Sequence, residues 1–398
     1  MRIEQIEQVA ANGKRRVSGR VRFADGQSSG LWFLFPDAGP LTTPADALFA
    51  ALLPGALGVR EDLHIDGAVS ADLLAVGRDR ILPTLARFHP GYDAIEVTAT
   101  EPLESSAPAG GVAALFSGGL DSSYTLARHR DRLTHLVFAH GFDVGLKRTA
   151  VLQRVGADLA VTARASGLQL IEVSSRIRPT IYRELQTRIR AKSPVRVRFL
   201  LGWGVGCLLT SYGQILSRSI GRLLVAGSWD DRYEGATASH PDIEPRWSTP
   251  ALQIELDGIG PTRIDKARFL ADQEPDLLRR LRVCQSRPVQ PTNCGACPKC
   301  IRLRMELRVA GIDPALHPFA ESLSDFQLRR SFVTIDGYFW PEILRQAETS
   351  GDRRAARTAE ILMDRRFHLG REISRLRARV RHPGWLHARK GYRGPSAT

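Results

Sequence analysis

The chain of 398 residues contains no uninterrupted apolar stretch of the roughly 18–20 residues that a membrane helix needs, so no membrane role is expected. Its opening, Met1-Arg2-Ile3-Glu4-Gln5-Ile6-Glu7, lacks the apolar core of a secretory signal. Export is therefore not expected, and the chain reads as cytoplasmic. Cysteine is scarce, with five residues, and four of them fall within seventeen positions. Clustering of that kind in a cytosolic chain points to metal ligation and away from a disulfide framework. Acidic residues are also short, 42 against 56 Lys and Arg, for a net charge of +14. Such a balance favours polyanionic partners or anionic substrates. Much of it is local, since residues 353–398 hold thirteen basic side chains against three acidic ones. Hydrophobic residues make up 43% of the sequence, enough for a full core and for two or more units.

Two common phosphate-binding spellings are missing. No Walker A ending of Gly-Lys-Ser/Thr fits, and no Gly-x-Gly-x-x-Gly dinucleotide turn does. What stands instead is Val112-Ala113-Ala114-Leu115-Phe116, a short apolar run, followed by Ser117-Gly118-Gly119-Leu120-Asp121-Ser122-Ser123 and a helical pattern from Tyr124. The run reads as a strand buried on both faces of a parallel sheet. A strand, a glycine turn and a helix N-terminus in succession make an anion site, because unpaired backbone N–H groups and the positive end of the helix dipole converge there. Gly118 and Gly119 allow the backbone to curl around a phosphate. Hydroxyls of Ser117, Ser122 and Ser123 add donors, and the Asp121 carboxylate can hold a magnesium ion against the same phosphates.

Residues 1–105 read as an accessory α+β module. Strands are expected at 17–23, 30–35 and 93–98, and helices at 45–53 and around 83–88. A small, flexible linker at 104–111 then precedes an α/β domain over 110–312. Its strands are expected at 112–116, 133–139, 168–173 and 222–227, with helices at 149–166 and 199–215 between them. This alternation predicts a doubly wound parallel sheet whose ligands sit beyond the carboxyl ends of the strands. His140, Gly141 and Asp143 follow the second strand, Arg176 and Arg178 the third, and Gly227 and Ser228 the fourth. A polar, aromatic segment at 231–249 reads as a substrate wall, with His240 as a proton carrier, Asp242 as a substrate contact and Trp247 as a stacking surface. Capping, turn formation and core packing are the competing readings for these residues. Lys266 and Arg263 open a further helix and are available for phosphate. Residues 313–398 read as a helical, basic C-terminal region suited to RNA or an acidic partner, or to a solvated charged face.

Cys284 precedes Cys294-Gly295-Ala296-Cys297-Pro298-Lys299-Cys300, two overlapping C-x-x-C steps with a fourth thiol nearby. Four soft ligands suit a tetrahedral zinc ion with no open position, which makes the metal structural. A redox pair is the competing reading. Cys207 stands alone in an apolar helix and reads as a buried small residue.

The Ser-Gly-Gly-Leu-Asp-Ser-Ser stretch resembles the signature of the PP-loop ATP pyrophosphatases. Together with Lys266, the four cysteines and the helix bearing Arg302 and Arg304, it resembles the 7-cyano-7-deazaguanine synthases of queuosine biosynthesis over residues 112–310. That resemblance implies a HUP-type, adenine nucleotide alpha-hydrolase-like fold. It also implies ATP, Mg2+ and Zn2+ as cofactors, and cleavage of ATP between the α and β phosphates. Ser117, Gly118, Gly119, Leu120, Asp121, Ser122 and Ser123 would hold pyrophosphate and magnesium, and Lys266 would neutralise phosphate. His140, Gly141, Asp143, Gly227 and Ser228 would line the nucleotide pocket. The implied reaction adenylates a carboxylate, on a small molecule or a protein, and an ammonia or amine donor then displaces AMP. Ala139-His140-Gly141-Phe142-Asp143 departs from the Tyr-Gly-Gln-Arg type of stretch usual in those synthases, and the N-terminal module and basic tail are additions. A tRNA-modifying PP-loop enzyme, such as a thiolase, and a non-catalytic nucleotide-binding module are the alternatives. A homodimer is compatible with either.

Overall fold

Alternating and apolar runs of the first 257 residues join into one sheet of ten strands, in the order β10-β9-β6-β7-β8-β3-β2-β1-β4-β5. The strands are β1 (Arg2–Ala11), β2 (Lys14–Arg22), β3 (Ser28–Pro36), β4 (Leu63–Ser70), β5 (Val97–Leu103), β6 (Gly111–Leu115), β7 (His135–His140), β8 (Gln169–Ser175), β9 (Ile220–Ala226) and β10 (Gln253–Asp257). The computed structural model describes residues 1–88, 92, 94–192, 199–229, 240–284, 293–319 and 338–363. Two compact units divide the chain, Met1–Thr262 and Arg263–Thr398.

Strands β10, β9, β6, β7 and β8 are parallel to one another. β3 then pairs antiparallel with β8, through Phe33 with Ser175 and Leu34 with Ser174. This pairing joins the strands of residues 1–105 and those of the α/β segment in one sheet. Without β3, β8 would be an open edge with a row of unpaired backbone groups. The N-terminal strands cover that edge, so the sheet continues across the linker and the division between units falls at 262/263.

Helices of the first unit are α1 (Asp46–Val59), α2 (Ala71–Val76), α3 (Leu82–Phe88), α4 (Leu120–His129), α5 (Thr149–Ala165), α6 (Tyr182–Lys192) and α7 (Phe199–Gln214). Apart from Asp46 in its first turn, α1 is apolar all round, and every one of its residues is buried, as a helix without a polar face requires. It packs against α7, and one core joins Leu48, Phe49 and Leu52 of α1 to Leu208 and Tyr212 of α7 and to Val173 and Leu223 of the sheet.

The second unit contains α8 (Arg263–Gln273), α9 (Pro275–Arg279), α10 (Pro298–Val309), α11 (Phe339–Thr349) and α12 (Arg353–Met363). Ile264, Ile301, Met305, Trp340, Ile343 and Leu362 form its core. Within the C-terminal region expected to be helical and basic, α11 and α12 are present, while residues from 364 on lie outside the described residues, as do residues 231–239 of the expected substrate wall. Among the described residues no helix is long and apolar enough to cross a membrane.

Candidate functional site

β6 delivers the chain to the carboxyl edge of the sheet, where the Phe116 amide still donates to the Val137 carbonyl at 2.8 Å. Gly118 then turns with φ of +72°, a region that costs an L side chain roughly 1–2 kcal/mol. Gly119 is extended and caps α4. Inside the turn the Ser117 amide donates to Ser122 Oγ at 3.3 Å, Ser122 Oγ donates to the Gly119 carbonyl at 3.1 Å, and the Gly119 amide donates to Ser117 Oγ at 3.3 Å. These hydroxyls hold the loop's shape, a role beyond the donor role expected of them. Leu120, Ser122 and Ser123 are buried and Asp121 is half-buried. The first turn of a helix leaves its amides without intrahelical acceptors, so this end of α4 can take an anion.

Chain order places this turn at a distinctive point. From β6 the sheet grows one way through β7 and β8, and then the other way through β9 and β10. The reversal lies between β6 and β9, and in open α/β sheets ligands bind in the crevice at such a switch point. Both flanking loops meet there: Ser228 Oγ, just past β9, donates to Asp121 Oδ2 at 3.2 Å. Gly227 is buried, and its amide donates to the Asp257 carbonyl at 2.7 Å.

His140 and Gly141 end the neighbouring strand β7. His140 Nε2 lies 2.5 Å from Glu172 Oε2 on β8, and this hydrogen bond holds the Glu172 carboxyl below its usual value against the opposing effect of burial. Gly156 of α5 makes room for that carboxylate, since a Cβ there would lie 3.1 Å from Glu172 Oε2. Gly141 has φ of +84°, and a Cβ would sit 2.3 Å from the Ser175 carbonyl. Asp143 Oδ1 is 4.0 Å from Arg178, whose guanidinium lies 4.2 Å from the Phe142 ring centroid and donates to the Phe142 carbonyl. Arg176 is exposed, with Nε donating to Thr180 Oγ1 at 3.3 Å.

The other expected site residues form a different cluster in the first unit. Trp247 is fully buried, edge-on to Phe49 at 5.9 Å, with Nε1 donating to Cys207 Sγ at 3.4 Å. It offers no surface for stacking, because an indole in the core satisfies its N–H internally. His240 is buried too: its Nδ1 accepts from the Asp242 amide at 3.1 Å, and its ring packs on Phe88. Burial lowers its pKa, which suits a neutral ring serving a turn. Asp242 pairs with Arg87 at 2.7 Å and Arg246 at 3.0 Å. Cys207 is buried as expected, and desolvation pushes its thiol up to about 12.

In the second unit Arg263 is not available for phosphate, since Glu306 holds it in a buried pair at 2.9 and 3.2 Å. Lys266 is fully buried on α8, a position that requires compensating partners for an ammonium. The four expected cysteines do converge. The sulfur atoms of Cys284, Cys294, Cys297 and Cys300 all lie within 4.8 Å of one another and could hold a metal ion such as zinc. Gly295 supplies the tight turn with φ of +69°, and Arg304 donates to its carbonyl at 3.3 Å. Cys297 caps α10. Asn293, which the sequence did not single out, closes the knuckle: it accepts from the Val283 amide at 2.9 Å and donates to the Leu281 carbonyl at 2.7 Å.

Comparison with protein-family models, with curated proteins and with solved structures returns no match for this chain.

Proposed function

We propose that this chain is an ATP-dependent ligase of the PP-loop type, which transfers AMP to a carboxylate with release of pyrophosphate and then lets an amine form an amide or, after a second activation, a nitrile. The observation that carries this reading is the Ser-Gly-Gly-Leu-Asp-Ser-Ser turn at the strand-order reversal, closed across the crevice by the bond from Ser228 to Asp121. Amides of the first turn of α4 bind the β and γ phosphates, and Ser117, Ser122 and Ser123 keep the loop in shape. Asp121 would hold Mg2+, which supplies charge neutralisation on the phosphates. The substrate carboxylate attacks the α phosphorus, the bond to the β-phosphate oxygen breaks, and pyrophosphate leaves with that electron pair. No protein nucleophile is needed, so catalysis consists of positioning and charge stabilisation. Zinc at the four cysteines has a structural role.

The resemblance to 7-cyano-7-deazaguanine synthases makes 7-carboxy-7-deazaguanine the first acid to test. Mass spectrometry after incubation with ATP, magnesium and ammonium, with Asp121→Ala as control, is the experiment. An amide or nitrile of that acid supports the assignment, and unchanged acid retires it. Thiolation of tRNA is the weaker reading. Cys207, the thiol outside the four-cysteine cluster, is buried with a raised pKa, and a reactive thiolate needs the opposite environment.

A further inference from the structure

Asp257, the last residue of β10, is joined to the loop after β9 and to helix α4. Its carbonyl accepts from the Gly227 amide at 2.7 Å, next to Ser228. The carboxylate reaches α4, accepting from Thr125 Oγ1 at 2.7 Å and from Arg128 at 3.0 Å, with His129 Nε2 at 2.8 Å. Its side chain is only 9% exposed, whereas Glu255, two residues earlier on the same strand, is 32% exposed. Glu255 pairs with Arg132 and Arg222 in a solvated setting where ion pairs contribute little. Burial alone would raise the Asp257 carboxyl, but hydrogen bonds from His129 and Thr125 and the Arg128 charge bring it below the usual value. A desolvated carboxylate is a costly way to fasten an edge strand, and such groups are retained where they specify geometry.

The contacts close a ring: Asp121 to Ser228, then along the chain to Gly227, across to Asp257, and through Thr125 back along α4 to Asp121. We infer that Asp257 is a positioning residue that holds α4 and the loop after β9 in one frame, and thereby sets the affinity of the phosphate loop for a nucleoside triphosphate. This inference rests on the nucleotide-binding reading given above. Helix α4 carries the loop at its N-terminus, and Asp257 grips the helix at positions 125, 128 and 129. Removing the grip frees the helix to shift, and the phosphate amides move with it. Adenosine lacks the phosphates that these amides would bind, so its affinity should depend less on the grip.

Calorimetric titration of the full chain with α,β-methylene-ATP and magnesium, and separately with adenosine, tests the inference. Asp257→Asn should weaken the triphosphate analogue about tenfold and leave adenosine within about twofold, since the amide keeps one acceptor and loses the charge. Thr125→Val removes a single donor at nearly constant volume and should weaken the analogue about threefold, which keeps the test open if Asp257→Asn folds poorly. Equal losses for analogue and adenosine, or unchanged affinity for the analogue in both variants, overturn the positioning role. Wild-type chain that binds neither molecule removes the nucleotide reading itself, and this inference with it.

Discussion

The Ser228 hydroxyl donates to Asp121 Oδ2 across 3.2 Å, although 107 residues separate them in the chain. The bond spans the gap between β6 and β9, where the sheet changes its direction of growth. Asp121→Asn should abolish magnesium-dependent AMP formation, a fall of at least about a hundredfold, because a neutral amide is a poor magnesium ligand. Ser228→Ala removes one neutral donor and should cost roughly 1 kcal/mol, about fivefold in kcat/KM. Equal losses in the two variants would contradict the assignment of the cation site to Asp121.

Gly118→Ala places a Cβ at φ of +72°. The expected loss is roughly 1–2 kcal/mol of stability, together with weaker triphosphate binding, because relaxing the strain re-aims the loop amides. Chemical denaturation and ATP-analogue titration measure the two effects. A variant that keeps both wild-type stability and wild-type affinity would show that the turn tolerates another geometry.

Much of this site was legible in the sequence, for local reasons. Apolar β6, the two glycines and the hydroxyl run lie within twelve consecutive residues, and the four cysteines within seventeen. The parallel strands at 135–140, 169–175 and 220–226 were legible from the same alternation of apolar runs with helical patterns. The rest depends on contacts between distant segments. β10 reads Gln253-Ile254-Glu255-Leu256-Asp257, too short and too acidic to stand out, and its Asp257 matters because of α4. β1 alternates until a bulge between Glu4 and Glu7, where Gln5 takes a positive φ and breaks the period. Trp247 and His240 sit among polar residues in the sequence, which masked their burial beside Phe49 and Phe88. Continuity of the sheet through β3 and β8 has no local signature.

The four-cysteine cluster should carry one metal ion per chain. Four thiols within 4.8 Å repel as thiolates unless a cation balances them. Elemental analysis of the purified chain should give about one zinc, and Cys297→Ser should lose it and lower the melting temperature of the second unit. Full stability after complete chelation would refute a structural metal.

Asp46 gives the fold a pH dependence with a definite sign. It is buried and accepts from the Ser70 amide at 2.7 Å, from Ser70 Oγ at 2.5 Å and from Thr43 Oγ1 at 2.8 Å. Desolvation nevertheless raises its pKa from 3.8 to about 6. The folded state therefore holds this proton more tightly than the unfolded state. The resulting stabilisation is complete below the unfolded value and is lost as pH rises through the folded one, in total roughly 3 kcal/mol. Asp46→Asn should flatten the fall in stability between about pH 4 and pH 6. Denaturant titrations across that range check it, and parallel curves for the two proteins would refute it.

The nucleotide product decides the main question. Purified chain with magnesium, ATP, ammonium and a panel of carboxylic acids should form AMP and pyrophosphate in equal amounts, in a manner that depends on one of the acids. ADP and orthophosphate, with no AMP under any acid, would contradict adenylation at the Ser117–Ser123 loop.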